Sequence, residues 1–203
     1  LWGLPEDGVG GYAFTAREAT RDALIWEDVF GAEATTRLDN VYSTQTSNLW
    51  ATENLLDPQD WAEAEPETYL PISAVFDSLG VTTYFGGMVI SDPTLRQEFL
   101  TRLRQNRTDA RRWLTATITD PEAPDTPASN ASVLAKSKEL ANEHGLKLLA
   151  YEGGQHLHHA FAVSGLTEAD IDATSSILID YVRGAEMAAV TAENWDVWQG
   201  IGD

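Results

Sequence analysis

The sequence predicts an α/β fold made of parallel βα units, an incomplete (β/α) barrel. Short β-branched and aromatic runs alternate with longer helical patterns. The spacers between strand runs are too long for hairpins, so the strands are expected to run parallel. Two strand runs also end alike, in Tyr84-Phe85-Gly86-Gly87 and Tyr151-Glu152-Gly153-Gly154. An eight-stranded barrel needs roughly 250 residues. This chain has 203, and its three clear strands amount to half a barrel.

Taken in order, residues 1–11 are glycine-rich and read as a loop. Tyr12 to Phe30 has helical spacing, with Leu24, Ile25, Val29 and Phe30 on or near one face, and Gly31 as the stop. Leu38 to Thr46 carries the residue bias of a strand and runs into a polar exit with Gln45, Asn48 and Trp50. Thr52 to Pro71 is acidic and broken by Pro58, Pro66 and Pro71, the pattern of loops and short helical turns. Ser78 to Phe85 is the second strand, and Pro93 to Trp113 reads as one helix. Residues 119–130 hold Pro121, Pro124 and Pro127 and read as a flexible surface loop.

Ala131 to His144 is the next helix, with Val133, Leu134, Leu140 and Ala141 inward and Gly145 closing it. Leu146 to Tyr151 reads as a buried strand that stops at Glu152, where glycine frees the backbone to turn. Thr167 and Asp170 form a capping-box pattern that opens a helix through Arg183. Gly184 breaks it, and a last helix is expected to turn Ala188, Ala192 and Trp195 inward. Trp26, Trp195 and Trp198 are assigned to packing, and residues 1–203 to a single domain.

The net charge is −19, and only three of the 13 basic residues are lysine. Such a surface repels nucleic acid and anionic membranes. Arg96, Arg102, Arg104, Arg107, Arg111 and Arg112 form a local basic cluster, read as a solvated helix face that compensates acidic neighbours. No run is long and apolar enough for a membrane span. The absence of cysteine excludes disulfides and thiolate chemistry and leaves the compartment open.

Ala150-Tyr-Glu152-Gly-Gly-Gln155-His156-Leu157, with Trp26-Glu-Asp-Val-Phe-Gly31 and Thr83-Tyr-Phe-Gly-Gly87, resembles part of a family of bacterial (β/α)8 TIM-barrel proteins. That family is related to clan-A glycoside hydrolases and sometimes labelled cellulose-binding. The resemblance implies the C-terminal half of such a barrel, roughly strands 5–7 and helices 4–7, with polysaccharide as ligand or substrate. It maps Glu152 onto the retaining nucleophile. The strand-end Asn-Glu that supplies the acid/base in clan A has no counterpart here, since Asn142-Glu143 falls inside a helix.

Retaining hydrolysis needs two carboxyl groups about 5–5.5 Å apart, and one candidate is visible. Aromatic faces pack on sugar rings and amides pair with hydroxyls, so Trp50, Tyr84, Gln45, Asn48, Gln155 and His156 are the candidate sugar contacts. The alternative is a non-catalytic carbohydrate-binding or cell-surface barrel. A third reading, a metal-dependent hydrolase on Glu152, His156, His158 and His159, has poor ligand spacing. No metal ligand and no cofactor are therefore assigned. A secreted or cell-surface location is expected, as is self-association through the open sheet edges of a half barrel.

Overall fold

The computed structural model describes residues 9–158 and 164–201. It is an α/β structure with a three-stranded parallel sheet in the order β1-β2-β3: Val41–Ser43, Ser78–Phe85 and Lys147–Gln155. Strands β1 and β2 pair in parallel, with Val41 opposite Ser78 and Ser43 opposite Gly80. Around them come α1 (Gly11–Phe30), α2 (Ala34–Arg37), α3 (Leu49–Leu56), α4 (Gln59–Ala64) and α5 (Met88–Ser91). These are followed by α6 (Pro93–Gln105), α7 (Arg107–Ile118), α8 (Pro127–Glu143), α9 (Glu168–Val182) and α10 (Ala185–Ile201).

The chain divides into two compact units. Among the described residues the first holds 9–82 and 133–151, and the second holds 83–132, 152–158 and 164–201.

In the first unit, α1 packs on α3 and α4 through a small-residue face of Ala13, Ala16, Thr20 and Ala23. Arg17 is buried in that face and meets Glu65 at 2.5 Å. This corrects the expected orientation, because Ile25, Trp26 and Val29 are exposed. Alanines allow close helix approach, and close approach decides which side of α1 is covered. Helix α8 turns Leu134, Leu140 and Ala141 inward as expected. It ends at Gly145, whose φ of 70° lets Leu146 N–H reach Ala141 O at 2.8 Å and Gly145 N–H reach Asn142 O at 3.1 Å. That is the Schellman closure.

The second unit is built on one apolar cluster that includes Phe85, Ile90, Phe99, Leu114, Ile118, Leu157, Ile177 and Tyr181. Each such side chain removed from water contributes roughly 1.5–3 kcal/mol. Helix α9 starts at the predicted box: Asp170 N–H donates to Thr167 Oγ1 at 3.2 Å, and Thr167 N–H donates to Asp170 at 3.3 Å. Helix α10 presents Met187, Val190 and Asn194 inward, whereas Ala188, Ala192 and Trp195 are exposed, the reverse of the expected face. Met187 and Val190 join the apolar cluster, and that fixes the rotation of the helix.

Four boundaries also move. Strand β1 is three residues long, shorter than the Leu38–Thr46 run: Thr44 N–H makes its last ladder bond, to Gly80 O at 2.8 Å, Thr46 meets Thr82 N–H through its hydroxyl at 2.7 Å, and the chain turns at residues 46–47. Asn106 splits the Pro93–Trp113 helix in two. Its extended backbone (φ −157°, ψ 110°) ends α6, and its Oδ1 caps α7 by accepting from Thr108 and Asp109. The 119–130 stretch is turns followed by the first turns of α8, with Thr126 and Ser129 bonded to each other's backbone. Strand β3 continues past Glu152 to Gln155.

Four of the six clustered arginines pair with acids as expected: Arg102 with Glu98 and Asp109, Arg104 with Asp170, Arg107 with Asp180, and Arg111 with Glu186, while Arg96 donates to the carbonyls of Ile90 and Ser91. Among the described residues no helix is long and apolar enough to cross a membrane.

Candidate functional site at the carboxyl ends of the strands

The predicted site residues fall in both units. Gln45, Asn48 and Trp50 belong to the first, and Tyr84, Glu152, Gln155 and His156 to the second. In the first unit the amide-rich strand exit is largely a helix start. Asn48 is the N-cap of α3, its Oδ1 accepting from Ala51 N–H at 3.1 Å. Gln45 is exposed and gives its carbonyl to Asn48 N–H at 3.0 Å. Trp50 is exposed, meets Tyr12 edge-on at 5.5 Å, and with Tyr12, Asn54, Asp57 and Asp60 lines a cleft of about 390 Å³.

In the second unit the polar cluster lies beyond Glu152. The glutamate is inside β3 with its side chain in solvent, not at a strand end. The two glycines after it keep the strand going. A Cβ on Gly153 would stand 1.9 Å from Thr83 Oγ1, and Gly154 has a φ of 108°. Glycine is needed here for close strand approach and for a backbone kink, not for the sharp turn expected from the sequence.

The strand ends themselves bring Tyr84 and His156 together. Their rings stack at 4.5 Å with planes 13° apart, and His158 meets His156 edge-on at 4.6 Å. His156 N–H donates to Phe85 O at 2.7 Å, fixing this segment beside the end of β2. Asn130 Nδ2 donates to Tyr84 O at 2.7 Å. Gln155 turns its Oε1 to Leu157 N–H at 2.7 Å.

A residue that sequence reasoning missed completes the group. Asp125 adopts a left-handed backbone (φ 61°), accepts Met88 N–H on Oδ2 at 2.8 Å, and accepts Gly86 N–H on its carbonyl at 2.8 Å. A Cβ on Gly87 would lie 3.4 Å from His156 Cβ, 3.6 Å from His156 Nδ1 and 3.6 Å from Asp125 Oδ2. The missing side chain of Gly87 therefore leaves carboxylate and imidazole on either side of one small gap. Burial pushes the Asp125 carboxyl above its ordinary range, opposed by the Met88 N–H and by His156. The signal was Asp125-Thr126-Pro127, a turn residue and a cap ahead of a proline at a helix start.

Among the described residues no three His, Asp or Glu side chains are grouped as a metal ion requires. His159 lies outside the described residues. A cleft of about 620 Å³ opens at the amino ends of β1 and β2, lined by Glu27, Asp28, Asn40, Phe76 and Asp77 among others. That is the end of parallel strands where stability, not chemistry, is usually decided. Comparison with family models, with curated proteins and with solved structures finds no match.

Proposed function

We propose that the second unit is a carbohydrate-binding module, with its site at the carboxyl ends of β2 and β3. The observation that carries this reading is the Tyr84–His156 stack, with the Asp125 carboxyl across the Gly87 gap. Parallel strands gather ligand groups at this end. An aromatic face beside a carboxylate and an imidazole is the equipment that grips a sugar ring and its hydroxyls. The parent barrel suggested by the Tyr151-to-Leu157 motif would be glycoside-hydrolase-like.

Hydrolysis is the stronger form of the same reading. Glu152 would then be the nucleophile, and Asp125, in the same compact unit, would be the candidate for the second carboxyl. A carboxyl whose pKa is raised by burial suits the role of proton donor.

The test is titration of soluble oligosaccharides, beginning with cello-oligosaccharides, followed by calorimetry and by release of reducing ends. Binding that Tyr84→Ala weakens about tenfold, or ~1.4 kcal/mol, supports the module. Turnover that Glu152→Gln abolishes while binding persists supports the hydrolase. No saturable binding of any oligosaccharide removes both.

A further inference from the structure

A second cleft in the same unit has a different character. It encloses about 360 Å³ between the end of β3 and α9, and is lined by Gln155, Leu157, His158, Ser175, Leu178, Ile179, Val182 and Arg183. Leu157 and Leu178 are buried, while Ile179 is half exposed and forms an open lip. Its size and mixed lining are those of a small-molecule pocket, mostly apolar with a few polar groups.

The charge of the lining is what sets it apart. The chain has 32 acidic residues against 13 basic, yet among the described residues this cleft is lined by an arginine and no carboxylate. The 620 Å³ cleft carries Glu27, Asp28 and Asp77, the cleft beside Trp50 carries Asp57 and Asp60, and the one over Arg111 carries Glu186. The acids nearest Arg183 along the helices are already engaged: Asp180 with Arg107, and Glu186 with Arg111 at 2.8 and 2.9 Å. Gln155 Oε1 accepts Leu157 N–H at 2.7 Å, and its NH2 group carries two donors. Apolar walls, a guanidinium and an amide donor are complementary to an anionic head on an apolar body.

We propose that this cleft binds a small amphipathic carboxylate, its apolar chain against Leu157, Leu178, Ile179 and Val182 and its carboxylate on Arg183. The cleft adjoins the Tyr84–His156 stack through His158, which meets His156 edge-on, but the proposal does not depend on the carbohydrate reading.

Octanoate titrated calorimetrically into the full chain is the test, with 1-octanol as the uncharged probe of the same length. Octanoate is expected to bind saturably, one per chain, and at least about tenfold more tightly than octanol. Arg183→Gln is expected to remove that preference, and Arg183→Lys to restore part of it. Ile179→Glu, which puts a carboxylate on the lip, is expected to weaken octanoate more than octanol and decides the matter if the Arg183 variants do not fold. Tyr84 does not line the cleft, so Tyr84→Ala is expected to keep the preference for octanoate over octanol even where it weakens oligosaccharide binding. Equal binding of the two probes, binding indifferent to both Arg183→Gln and Ile179→Glu, or no saturable binding of octanoate would overturn the proposal.

Discussion

Gly153 lies so close to Thr83 that a Cβ there would stand 1.9 Å from Thr83 Oγ1, 3.0 Å from its Cβ and 3.1 Å from its carbonyl oxygen. Rotating Thr83 about χ1 relieves the first contact and leaves the other two. Gly153→Ala is therefore expected to destabilise the fold by roughly 1–3 kcal/mol through overpacking. Thr83→Ala in the same chain should return only part of that loss, because the backbone oxygen stays where it is. Gly154→Ala meets no atom within 4 Å and suffers instead from its φ of 108°. Its expected cost is about 1–3 kcal/mol, and Thr83→Ala should not relieve it. Denaturant midpoints of the singles and doubles separate the two causes.

Asp125 offers a test in which two substitutions differ in sign. Burial raises its carboxyl pKa, so the ionised form is less at home in the fold than in the unfolded chain. The stability it contributes is fully present below the ordinary carboxylate pKa of 3.8 and is lost as pH rises through the raised folded value. Asp125→Asn keeps an acceptor for Met88 N–H, tolerates the left-handed backbone and carries no charge. It is expected to match or exceed the wild type in thermal midpoint at neutral pH. Asp125→Ala strands the Met88 N–H and puts a Cβ without compensation at φ 61°, for an expected loss of about 1–3 kcal/mol.

Much of the fold was legible in the sequence because it rests on local signals. The Ser78–Phe85 strand, the Thr167–Asp170 box and the Gly145 helix end are each written in a few adjacent residues, and each appears where expected. The faces of α1 and α10 were not legible. Both helices carry apolar residues on more than one side, and neighbours in space, not periodicity, choose which side is covered. The site was half legible. Tyr84 and His156 were named and do meet, but Glu152 was placed at a strand end because Gly153-Gly154 looked like a turn. Asp125 was hidden in a proline-rich stretch whose fold depends on Met88 and Gly86, nearly 40 residues earlier in the chain.

Acid is expected to weaken the second unit through Glu186. The Arg111 guanidinium holds this carboxyl down from 4.5 to about 2. A depressed folded pKa means that its contribution is present above the unfolded value and is lost as pH falls from about 4.5 toward 2. Asp170 is lowered in the same direction by the Thr167 hydroxyl and by Arg104. Thermal midpoints recorded across that window should fall less steeply for Glu186→Gln than for the wild type. Equal slopes would mean that the pair does not contribute to acid sensitivity.

The break between α6 and α7 turns on one side chain. Asn106 Oδ1 accepts from Thr108 N–H at 2.9 Å and Asp109 N–H at 3.1 Å, two of the donors that a helix start leaves unpaired. Asn106→Ala removes the acceptor shared by both N–H groups and is expected to cost about 1 kcal/mol, whereas Asn106→Asp keeps an acceptor and should cost little. A single unbroken helix would predict the opposite, since alanine is the better interior residue and would stabilise it. The order of the two variants in urea midpoint therefore tests the break itself. An alanine variant more stable than the wild type would restore the continuous helix that the sequence first suggests.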